Sequence, residues 1–314
     1  MESKIANVMS ISGGKDSTAM WIYATKELGL EVIPVFADTG NEHPTTYEYI
    51  SYLETVLGPI KRVVPDFSDR IQKKRQYVIE HWPGKLQKVG KGSAEIDEII
   101  HRALEHIKPT GNPFLDLCIW KGRFPSTKAR FCTQFLKIIP IAEDVYFPLF
   151  EQDYHVVSWQ GVRAAESPAR AKMTEREETA EGYEVCRPLL HWSAREVFAM
   201  HDKHGIEPNP LYTQGMTRVG CMPCINVNKA ELFEISRRFP EEIERIAEWE
   251  RLVAGASKRG DSSFLPALDA DDKKNIHDWV EWSKTSYGGH NYDLLKMISL
   301  EEDITCSSVY GLCE

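Results

Sequence analysis

The sequence predicts an α/β protein with a parallel sheet, followed by a helical C-terminal region. A short apolar strand at 8–11, a helix at 19–28 and a second apolar strand at 31–36 follow one another closely. A strand–helix–strand unit of this length pairs its strands in parallel. Amphipathic helical periodicity over 231–251 and 271–284 predicts the helical region. We therefore expect one domain over 1–230, with an insertion at about 66–128, and a helical region over 231–314.

Composition and charge narrow the class of protein. The 314 residues are 42% hydrophobic, which is ample for a core. No apolar run is long enough to span a membrane, and the N-terminus lacks a signal-peptide pattern. The net charge of -9 argues against wholesale coating of nucleic acid. We expect a cytoplasmic protein without a membrane partner, whose seven cysteines serve as metal ligands or reactive thiols before disulfides.

A glycine-rich turn joins the first strand to the first helix. Gly13 and Gly14 allow a tight turn whose N–H groups suit an anion at the start of the helix. Lys15 adds a positive charge, and Asp16 can hold a magnesium ion or position the lysine. Phosphate oxygens can also be bound by the nearby hydroxyl groups, those of Ser10, Ser12, Ser17 and Thr18. We predict a phosphate-binding loop, although its spacing is not that of a Walker A loop.

The second strand ends in a polar turn. Asp38, Thr39, Gly40 and Glu42 lie at the carboxyl end of this strand, where open α/β sheets collect ligands. These residues are site candidates. The alternative is that Asp38 and Thr39 only cap the next helix. The next predicted elements are a helix over 45–57, strands over 60–64 and 154–158, and a helix after the capping box of Ser193 and Glu196.

The strand at 154–158 leads into a loop that contains two arginines. Gly161, Arg163 and Arg170 follow this strand. The two guanidinium groups can grip phosphates or a carboxylate, and surface ion pairing is the alternative for either one alone. We expect all three residues to contribute to nucleotide binding.

The pattern loosens between 66 and 128, where a basic stretch occupies 73–91. Its cations are Lys73, Lys74, Arg75, Lys85, Lys88 and Lys91. One interpretation is a solvated surface helix and loop, and the other is a face that docks a nucleic acid or an acidic protein.

The cysteines carry a second signal. Cys221 and Cys224 form a C-x-x-C pair, which suits zinc, an iron–sulfur cluster or a redox dithiol. A third thiol, Cys132, lies between cations in the segment ARFCT. Cys118 and Cys186 have ordinary neighbours and are expected to be structural. The two C-terminal thiols, Cys306 and Cys313, could reach the site or complete a metal shell.

Six segments in order resemble the phosphoadenosine phosphosulfate (PAPS) reductase family, which is similar in fold to the N-type ATP pyrophosphatases. They are SGGKDST at 12–18, DTGNE at 38–42, ARFCT at 129–133, GVRAAESPAR at 161–170, PLLHW at 188–192, and NPLY through VGCMPC at 209–224. The resemblance covers residues 5 to about 230. It implies an adenine nucleotide alpha-hydrolase-like (PP-loop) fold that binds an adenine nucleotide, with four catalytic positions: Lys15, Asp16, Asp38 and Arg163.

The resemblance also implies a 4Fe–4S cluster, but with two departures. Its ligands would be Cys132, Cys221 and Cys224, because Thr133 stands where cluster-bearing reductases have a further cysteine. One iron would then be open or bound by another group. Those reductases also tend to have a degenerate phosphate loop and a Cys-Gly-Leu-His type tail, whereas this chain keeps the complete loop and ends in Gly-Leu-Cys-Glu.

The complete loop favours ATP, because ATP has the β,γ pyrophosphate that PAPS lacks. Together with Mg²⁺ and the cluster, this is similar to the DNA phosphorothioation enzyme DndC and to cluster-dependent tRNA thiolation enzymes. The resemblance thus implies an ATP-dependent iron–sulfur sulfurtransferase that forms AMP and pyrophosphate, supplied by a sulfur donor such as a cysteine desulfurase. Its acceptor would be a nucleic acid bound by the basic stretch, and a homodimer is among the expected assemblies.

Three other functions stay open. The first is a reductase of PAPS or adenylyl sulfate that releases sulfite, with Cys313 or Cys306 as nucleophile. A plain ATP sulfurylase would have no need for the three cysteines. The last is a non-catalytic nucleotide-binding subunit whose C-x-x-C pair holds structural zinc.

Overall fold

The computed structural model describes residues 4–265 and 275–285. The described chain divides into two compact units. The first, which we call the sheet unit, contains residues 4–64 and 137–222; the second, the helical unit, contains 65–136, 223–265 and 275–285. The predicted insertion at 66–128 thus falls in the same unit as the predicted helical region. In the described segments, no helix is both long and apolar enough to cross a membrane.

Six strands form one sheet, in the order β3–β2–β1–β4–β6–β5. The strands are β1 (Lys4–Ile11), β2 (Val32–Ala37), β3 (Lys61–Val63), β4 (Tyr154–Trp159), β5 (Arg176–Glu178) and β6 (Glu184–Cys186). All neighbours pair in parallel except β5 and β6, which are antiparallel. The predicted α/β fold with a parallel sheet is confirmed. The order reverses direction between β1 and β4, and such a switch point leaves a crevice at the carboxyl ends of the two strands.

Both faces of the sheet are covered, which explains why β1 and β2 are apolar along most of their length. On one face, Met9, Ile11 and Phe36 pack with residues of the flanking helices, such as Trp21 and Ile50. The other face has its own cluster, which contains Val8, Val35, Val63, Ile141 and Val156. Side chains alternate between the two faces along each strand, so neighbouring residues enter different clusters.

The helices of the sheet unit include α1 (Lys15–Ile22), α2 (Pro44–Val56), α7 (Ile139–Ile141), α8 (Phe147–Phe150) and α9 (Ala194–His204). A π-helical turn, Tyr23–Glu27, extends α1, and others lie at Gln134–Ile138 and Ala142–Tyr146. The 3-10 helices are Ala164–Glu166 and Arg170–Lys172. The predicted capping box is confirmed: the Ser193 N–H donates to Glu196 Oε2 over 2.7 Å, and the Glu196 N–H donates to Ser193 Oγ over 3.3 Å.

The helical unit contains α3 (Ser68–Gln87), α4 (Ser93–His106), α5 (Pro113–Lys121), α6 (Phe131–Thr133), α10 (Lys229–Arg238), α11 (Pro240–Ala256) and α12 (Ile276–Ser283). The long helix α11 packs against α4, α5, α10 and α12. Three aromatic rings meet in the core of this unit. The ring centre of Phe114 lies 5.5 Å from that of Trp249 and 6.2 Å from that of Phe264.

Several predicted elements are wrong in extent. The first helix begins at Lys15, directly after the glycine turn. The loosened pattern over 66–128 is three well-formed helices, α3 to α5. The single helix expected over 231–251 is two, because Pro240, which lacks an N–H group, begins a new helix after Phe239. Residues 271–274 of the last predicted helix lie outside the described residues, as do Cys306 and Cys313.

Candidate functional site

The loops after β1 and β4 meet at the switch point of the sheet. Gly161, which follows β4, lies directly against the backbone of the first loop. A Cβ atom at Gly161 would lie 3.0 Å from Ser17 N and 3.1 Å from Asp16 C. No side chain fits there, so the close approach of the two loops requires a glycine. Gly161 therefore has a packing role, and its part in nucleotide binding stays a prediction.

The turn after β1 is held by hydrogen bonds among its own residues. Gly13 has a φ of 78°, a conformation that residues with a side chain rarely adopt. The Ser12 N–H donates to Ser17 Oγ over 3.2 Å, and Ser17 Oγ donates to Gly14 O over 3.1 Å. The Gly14 N–H donates to Ser12 Oγ over 3.3 Å. The turn is thus built by the predicted residues, and α1 begins immediately after it.

Three predicted catalytic residues form a charged group beside this turn. Asp16 is fully buried, and its Oδ2 lies 2.8 Å from Lys15 Nζ, while its Oδ1 accepts a hydrogen bond from Arg163 Nε over 2.5 Å. Lys15 and Arg163 are only 8% and 7% exposed. Buried charges need such pairing, and these three side chains together carry one net positive charge. The group therefore suits an anion. Of the two roles predicted for Asp16, its contacts fit the positioning of Lys15.

A second set of residues braces the turn from α9 and the segment that follows it. His201 is fully buried, and its Nε2 lies 2.9 Å from Lys15 O. Asn209 Nδ2 donates to Gly13 O over 3.2 Å, and the Lys15 N–H donates to the Tyr212 hydroxyl over 3.0 Å. The Tyr212 ring also lies 5.5 Å from Lys15 Nζ, a cation–π contact. No role of these residues is predicted from the sequence; the NPLY segment contains Asn209 and Tyr212 but not His201.

The polar turn after β2 forms a second hydrogen-bonded group. Asp38 Oδ1 accepts from the Gly40 N–H over 2.9 Å and from the Tyr47 hydroxyl over 2.7 Å. The buried Glu42 accepts from the Thr39 hydroxyl over 2.7 Å and from the Thr39 N–H over 3.2 Å. Burial raises the pKa of Glu42 above its ordinary value, against the opposing charge of Lys137 and the Thr39 hydrogen bond.

This second group is not the cap of the following helix. His43 is the N-cap residue of α2, and its Nδ1 accepts from the Thr45 N–H over 3.1 Å. The interpretation of Asp38 and Thr39 as caps is therefore wrong.

A small cavity lies between these groups. It has a volume of about 40 Å³ and is lined by residues of both turns, among them Ser10, Ser12, Ser17, Glu42, Lys137 and Gly161. A cavity of this size holds a small polar group and not a whole nucleotide.

Arg170 has a different partner from Arg163. Arg170 is fully buried, and its guanidinium group pairs with Glu166 four residues before it. Glu166 also accepts a hydrogen bond from the Arg163 N–H over 3.0 Å, which closes the short helix at Ala164–Glu166. Binding of a nucleotide by Arg170 stays a prediction.

Cys221 lies beside the turn after β2. Its Sγ is 3.6 Å from Thr39 Oγ1 and 3.9 Å from Glu42 Oε1. The neighbouring Met222 N–H donates to Asn41 O over 2.8 Å, which ties the C-x-x-C segment to this turn. The structure thereby brings the first cysteine of the pair next to the predicted site.

The other cysteines do not complete a metal site among the described residues. Burial raises the pKa of Cys118 well above its ordinary value and also raises that of Cys186, as expected for structural thiols. Across residues 4–265 and 275–285, no three His, Cys, Asp or Glu side chains are grouped so as to hold a metal ion. The cluster ligands Cys132, Cys221 and Cys224 stay a prediction.

Comparison with known proteins identifies relatives. The profile of the phosphoadenosine phosphosulfate reductase domain matches residues 6–227. The "uncharacterized 37.8 kDa protein in gpa 5′ region" of Escherichia phage 186 is 50% identical over 325 aligned residues, 98% of this chain and 96% of that protein. The adenosine 5′-phosphosulfate reductase of Allochromatium vinosum is 43% identical over 65 residues, which are 20% of this chain and only 25% of that enzyme. A solved phosphoadenylyl-sulfate reductase from Candida auris, in a phosphate complex, has 16% identity and a TM-score of 0.41 over 69% of this chain and 82% of that chain.

Proposed function

Since the chain belongs to the phosphoadenosine phosphosulfate reductase family, we propose that it binds ATP at the turn after β1 and cleaves it to AMP and pyrophosphate. The observation that carries the proposal is the pairing of Lys15 and Arg163 with the buried Asp16 beside a complete glycine turn. Two cations fixed at one anion site suit the negative charges of adjacent phosphates.

The contacts of Lys15 support a role in holding the leaving pyrophosphate. Its ammonium group is fixed on one side by Asp16 and on the other by the ring of Tyr212. A charge held in place before the reaction stabilises the developing negative charge without reorganisation. Arg163 is fixed on the same carboxylate and would act on a neighbouring phosphate oxygen. Asp16 would act through these two cations, as a positioning residue.

Asp38 is the residue that fits the predicted Mg²⁺ ion. Both hydrogen bonds described for its side chain are accepted by Oδ1. The second carboxylate oxygen, Oδ2, is therefore the atom that suits a metal ion. Mg²⁺ is commonly held by one or two carboxylates together with substrate phosphates and water. When bound, the ion would neutralise charge on the phosphates.

The overall reaction proposed is sulfur transfer to an acceptor. An oxygen of the acceptor attacks the α phosphorus, the bond to the bridging oxygen of pyrophosphate breaks, and pyrophosphate leaves. The terminal sulfur of a persulfide, supplied by a donor such as a cysteine desulfurase, then attacks the acceptor and displaces AMP, which leaves with the acceptor oxygen. A second thiol attacks the donor cysteine and breaks the resulting S–S bond, so the sulfur stays on the acceptor as a thiol and the donor cysteine leaves as a disulfide with the second thiol. No step here is assigned to the predicted 4Fe–4S cluster.

Two other functions follow from specific observations. The named reductases among the relatives, such as the one from Allochromatium vinosum, favour reduction of adenylyl sulfate or PAPS with release of sulfite. The nucleophile would then be Cys313 or Cys306, both outside the described residues. The C-x-x-C pair favours a nucleotide-binding subunit with structural zinc, formed by Cys221 and Cys224.

Calorimetric titration of the anaerobically purified full chain separates these functions. We expect ATP with magnesium to bind more tightly than PAPS, and turnover with a suitable acceptor to give AMP and pyrophosphate but no ADP. Tighter binding of PAPS would move the assignment to the reductase. If the protein contains zinc in place of iron and binds ATP without cleaving it, the nucleotide-binding subunit with structural zinc would be favoured.

Variants of the turn test the residues. Lys15→Ala and Asp16→Asn should each weaken ATP binding about tenfold to a hundredfold, the scale of a lost charge-assisted contact. Asparagine is preferred at position 16 because Asp16 is fully buried, and asparagine keeps its size and polarity. Lys26→Ala is the matched control, because Lys26 is an exposed lysine of the π-helical turn after α1. Wild-type affinity in both turn variants would remove the turn from the site.

A further inference from the structure

The helical unit contains a large cleft with a strongly basic lining. Its volume is about 1090 Å³. The lining includes six basic residues, Lys74, Lys121, Arg123, Arg251, Lys258 and Arg259. Only two carboxylate residues line it, Glu250 and Asp261. The chain as a whole carries a net charge of -9, so this concentration of positive charge is local.

Four cations of this cleft, Lys74, Lys121, Arg123 and Lys258, lie over aromatic rings, whereas Arg251 pairs with Glu248, which does not line the cleft. Lys74 Nζ and Lys258 Nζ lie 5.6 and 5.5 Å from the centre of the Trp82 ring. Lys121 Nζ lies 3.8 Å from the Trp120 ring. In the described part of the chain, none of these three lysines has a carboxylate within salt-bridge distance. A ring positions a cation but does not neutralise it, so the charge stays available to a ligand.

The cations also repel one another. Burial lowers the pKa of Lys74, with further lowering by the charges of Lys258 and Lys85. Burial likewise lowers the pKa of Lys121, followed by the charges of Arg70, Arg123 and Lys74. An anion in the cleft would relieve this repulsion, which gives the folded protein a direct electrostatic gain on binding.

The carboxylate of Glu250 is engaged by backbone N–H groups. It accepts hydrogen bonds from the Phe264 N–H over 2.7 Å and from the Ile276 N–H over 2.9 Å. Burial raises the pKa of Glu250, against these hydrogen bonds. Glu250 thus serves the backbone of its own unit.

We propose that this cleft binds a single-stranded nucleic acid through several consecutive phosphates. The volume exceeds that needed for one phosphate group, since pockets for whole small molecules measure about 300–1,000 Å³. Tyr77 also lines the cleft and is 37% exposed, and the ammonium groups of Lys85 and Lys74 lie 4.9 and 5.7 Å from its ring centre, so a base that stacks on this ring lies next to two cations. An acidic protein would use the charges but not this ring. Basic side chains with an accessible aromatic ring are typical of sites that track a single strand.

The structure changes which residues of the basic stretch 73–91 carry this function. Lys74 lines the cleft. Arg75 instead donates to the carbonyl oxygen of Ile107 over 2.8 Å, and Lys91 pairs with Glu95. The other cations of the cleft come from 121–123, 251 and 258–259, far away in sequence. The proposal does not rest on the proposed function, because the ATP site lies in the sheet unit.

Fluorescence anisotropy with a labelled single-stranded oligonucleotide of mixed sequence, about 12 residues long, tests the proposal. The full chain should bind it with an affinity that falls steeply with salt, because each neutralised phosphate of a single strand contributes about -0.7 to the log–log slope. The double variant Lys74→Gln/Lys258→Gln should bind at least tenfold more weakly at moderate salt. Its slope should be smaller in magnitude by about 1.4. Lys108→Gln, an exposed lysine of the same unit that does not line the cleft, should match the wild type.

Further arms separate the outcomes. Lys74→Arg/Lys258→Arg keeps both charges and should therefore keep the wild-type salt slope. A smaller slope in the glutamine variant alone would then be due to the lost charges and not to a loss of folding. The glutamine variant should retain ATP affinity, and Lys15→Ala should retain oligonucleotide affinity, so failure of either site is visible alone. A polyglutamate peptide of equal charge should compete poorly. The proposal is overturned if the wild type shows no salt-dependent binding, if the glutamine variant binds like Lys108→Gln, or if polyglutamate competes as well as the oligonucleotide.

Discussion

The contact of Gly161 with the turn after β1 gives the sharpest prediction for the site. Replacing Gly161 by Ala places a Cβ atom 3.0 Å from Ser17 N and 3.1 Å from both Asp16 C and Ser17 Cα. All three are backbone atoms, so no side chain can rotate out of the way. The φ of Gly161 lies outside the left-handed region, and the substitution therefore tests the contact and not the conformation of the backbone.

The magnitude follows from the size of the overlap. Ordinary contacts begin near 3.4 Å, so the two loops must separate by about 0.4 Å. Overpacking of this kind destabilises a protein by about 1–3 kcal/mol. At about 2–4 °C per kcal/mol, the melting temperature should fall by roughly 2–12 °C. Arg163 lies two residues further along the moved loop, so its 2.5 Å hydrogen bond to Asp16 should be displaced as well. We expect ATP affinity to fall at least tenfold.

Thermal unfolding and calorimetric titration measure these two effects. Gly84→Ala is the matched control, because Gly84 lies inside α3 and a Cβ atom there would meet nothing within 4 Å. An alanine inside a helix is favoured over glycine by about 0.5–1 kcal/mol, so this variant should be slightly stabilised and should bind ATP normally. A Gly161→Ala protein with wild-type melting temperature and ATP affinity would refute the reasoning about the two loops.

Two further predictions concern Glu42 and the cysteines. Burial raises the pKa of Glu42 from its ordinary value of 4.5, so the folded chain keeps a proton that the unfolded chain releases. The free energy of unfolding, measured in urea, should therefore fall as pH rises from about 5. The free energy of unfolding of Glu42→Gln should fall less over the same pH range. Equal pH dependence of the two proteins would contradict this. Cys132→Ser, Cys221→Ser and Cys224→Ser should each lower the iron content of anaerobically purified protein, whereas Cys118→Ser should not. Full iron in the first variant would show the ligand set to be wrong.

The sequence was most informative where function and backbone geometry demand the same residues. The turn at Gly13 needs a positive φ, and its serines bond to each other within five residues. Such local requirements leave a compact signature that can be found without a structure. The pairing of Arg163 with Asp16 joins residues 147 apart. Its two ends were predicted separately, from their positions after two strands, but the hydrogen bond itself was not.

The braces of the turn were missed for a physical reason. His201 and Tyr212 contact Lys15 from 186 and 197 residues away, and each uses a backbone atom of the lysine as its partner. A contact to backbone places no demand on the identity of the partner residue. It leaves no complementary pair in the sequence. Asn209 contacts Gly13 O in the same way.

The errors in secondary structure have equally specific causes. Pro83 and Gly84 are residues that commonly interrupt helices, yet α3 continues through them. Its buried residues Ile71, Val78 and Trp82 recur at helical spacing, so the signal was present beneath the charged positions. The strand β5 consists of three exposed polar residues at the edge of the sheet. It buries no face, so it has no apolar alternation to detect.

The two loops at the switch point act as one device, and this explains why the site needs residues of such different kinds. Gly161 allows the loop after β4 to reach the turn after β1, and Arg163, two residues later, uses that approach to bond to Asp16. Asp16 in turn fixes Lys15, whose backbone is held by His201 and Tyr212. Loss of the glycine contact would therefore act on the same cations as loss of the carboxylate. If this coupling holds, Gly161→Ala and Asp16→Asn should together weaken ATP binding by less than the product of their separate effects, because both remove the alignment of one pair of charges.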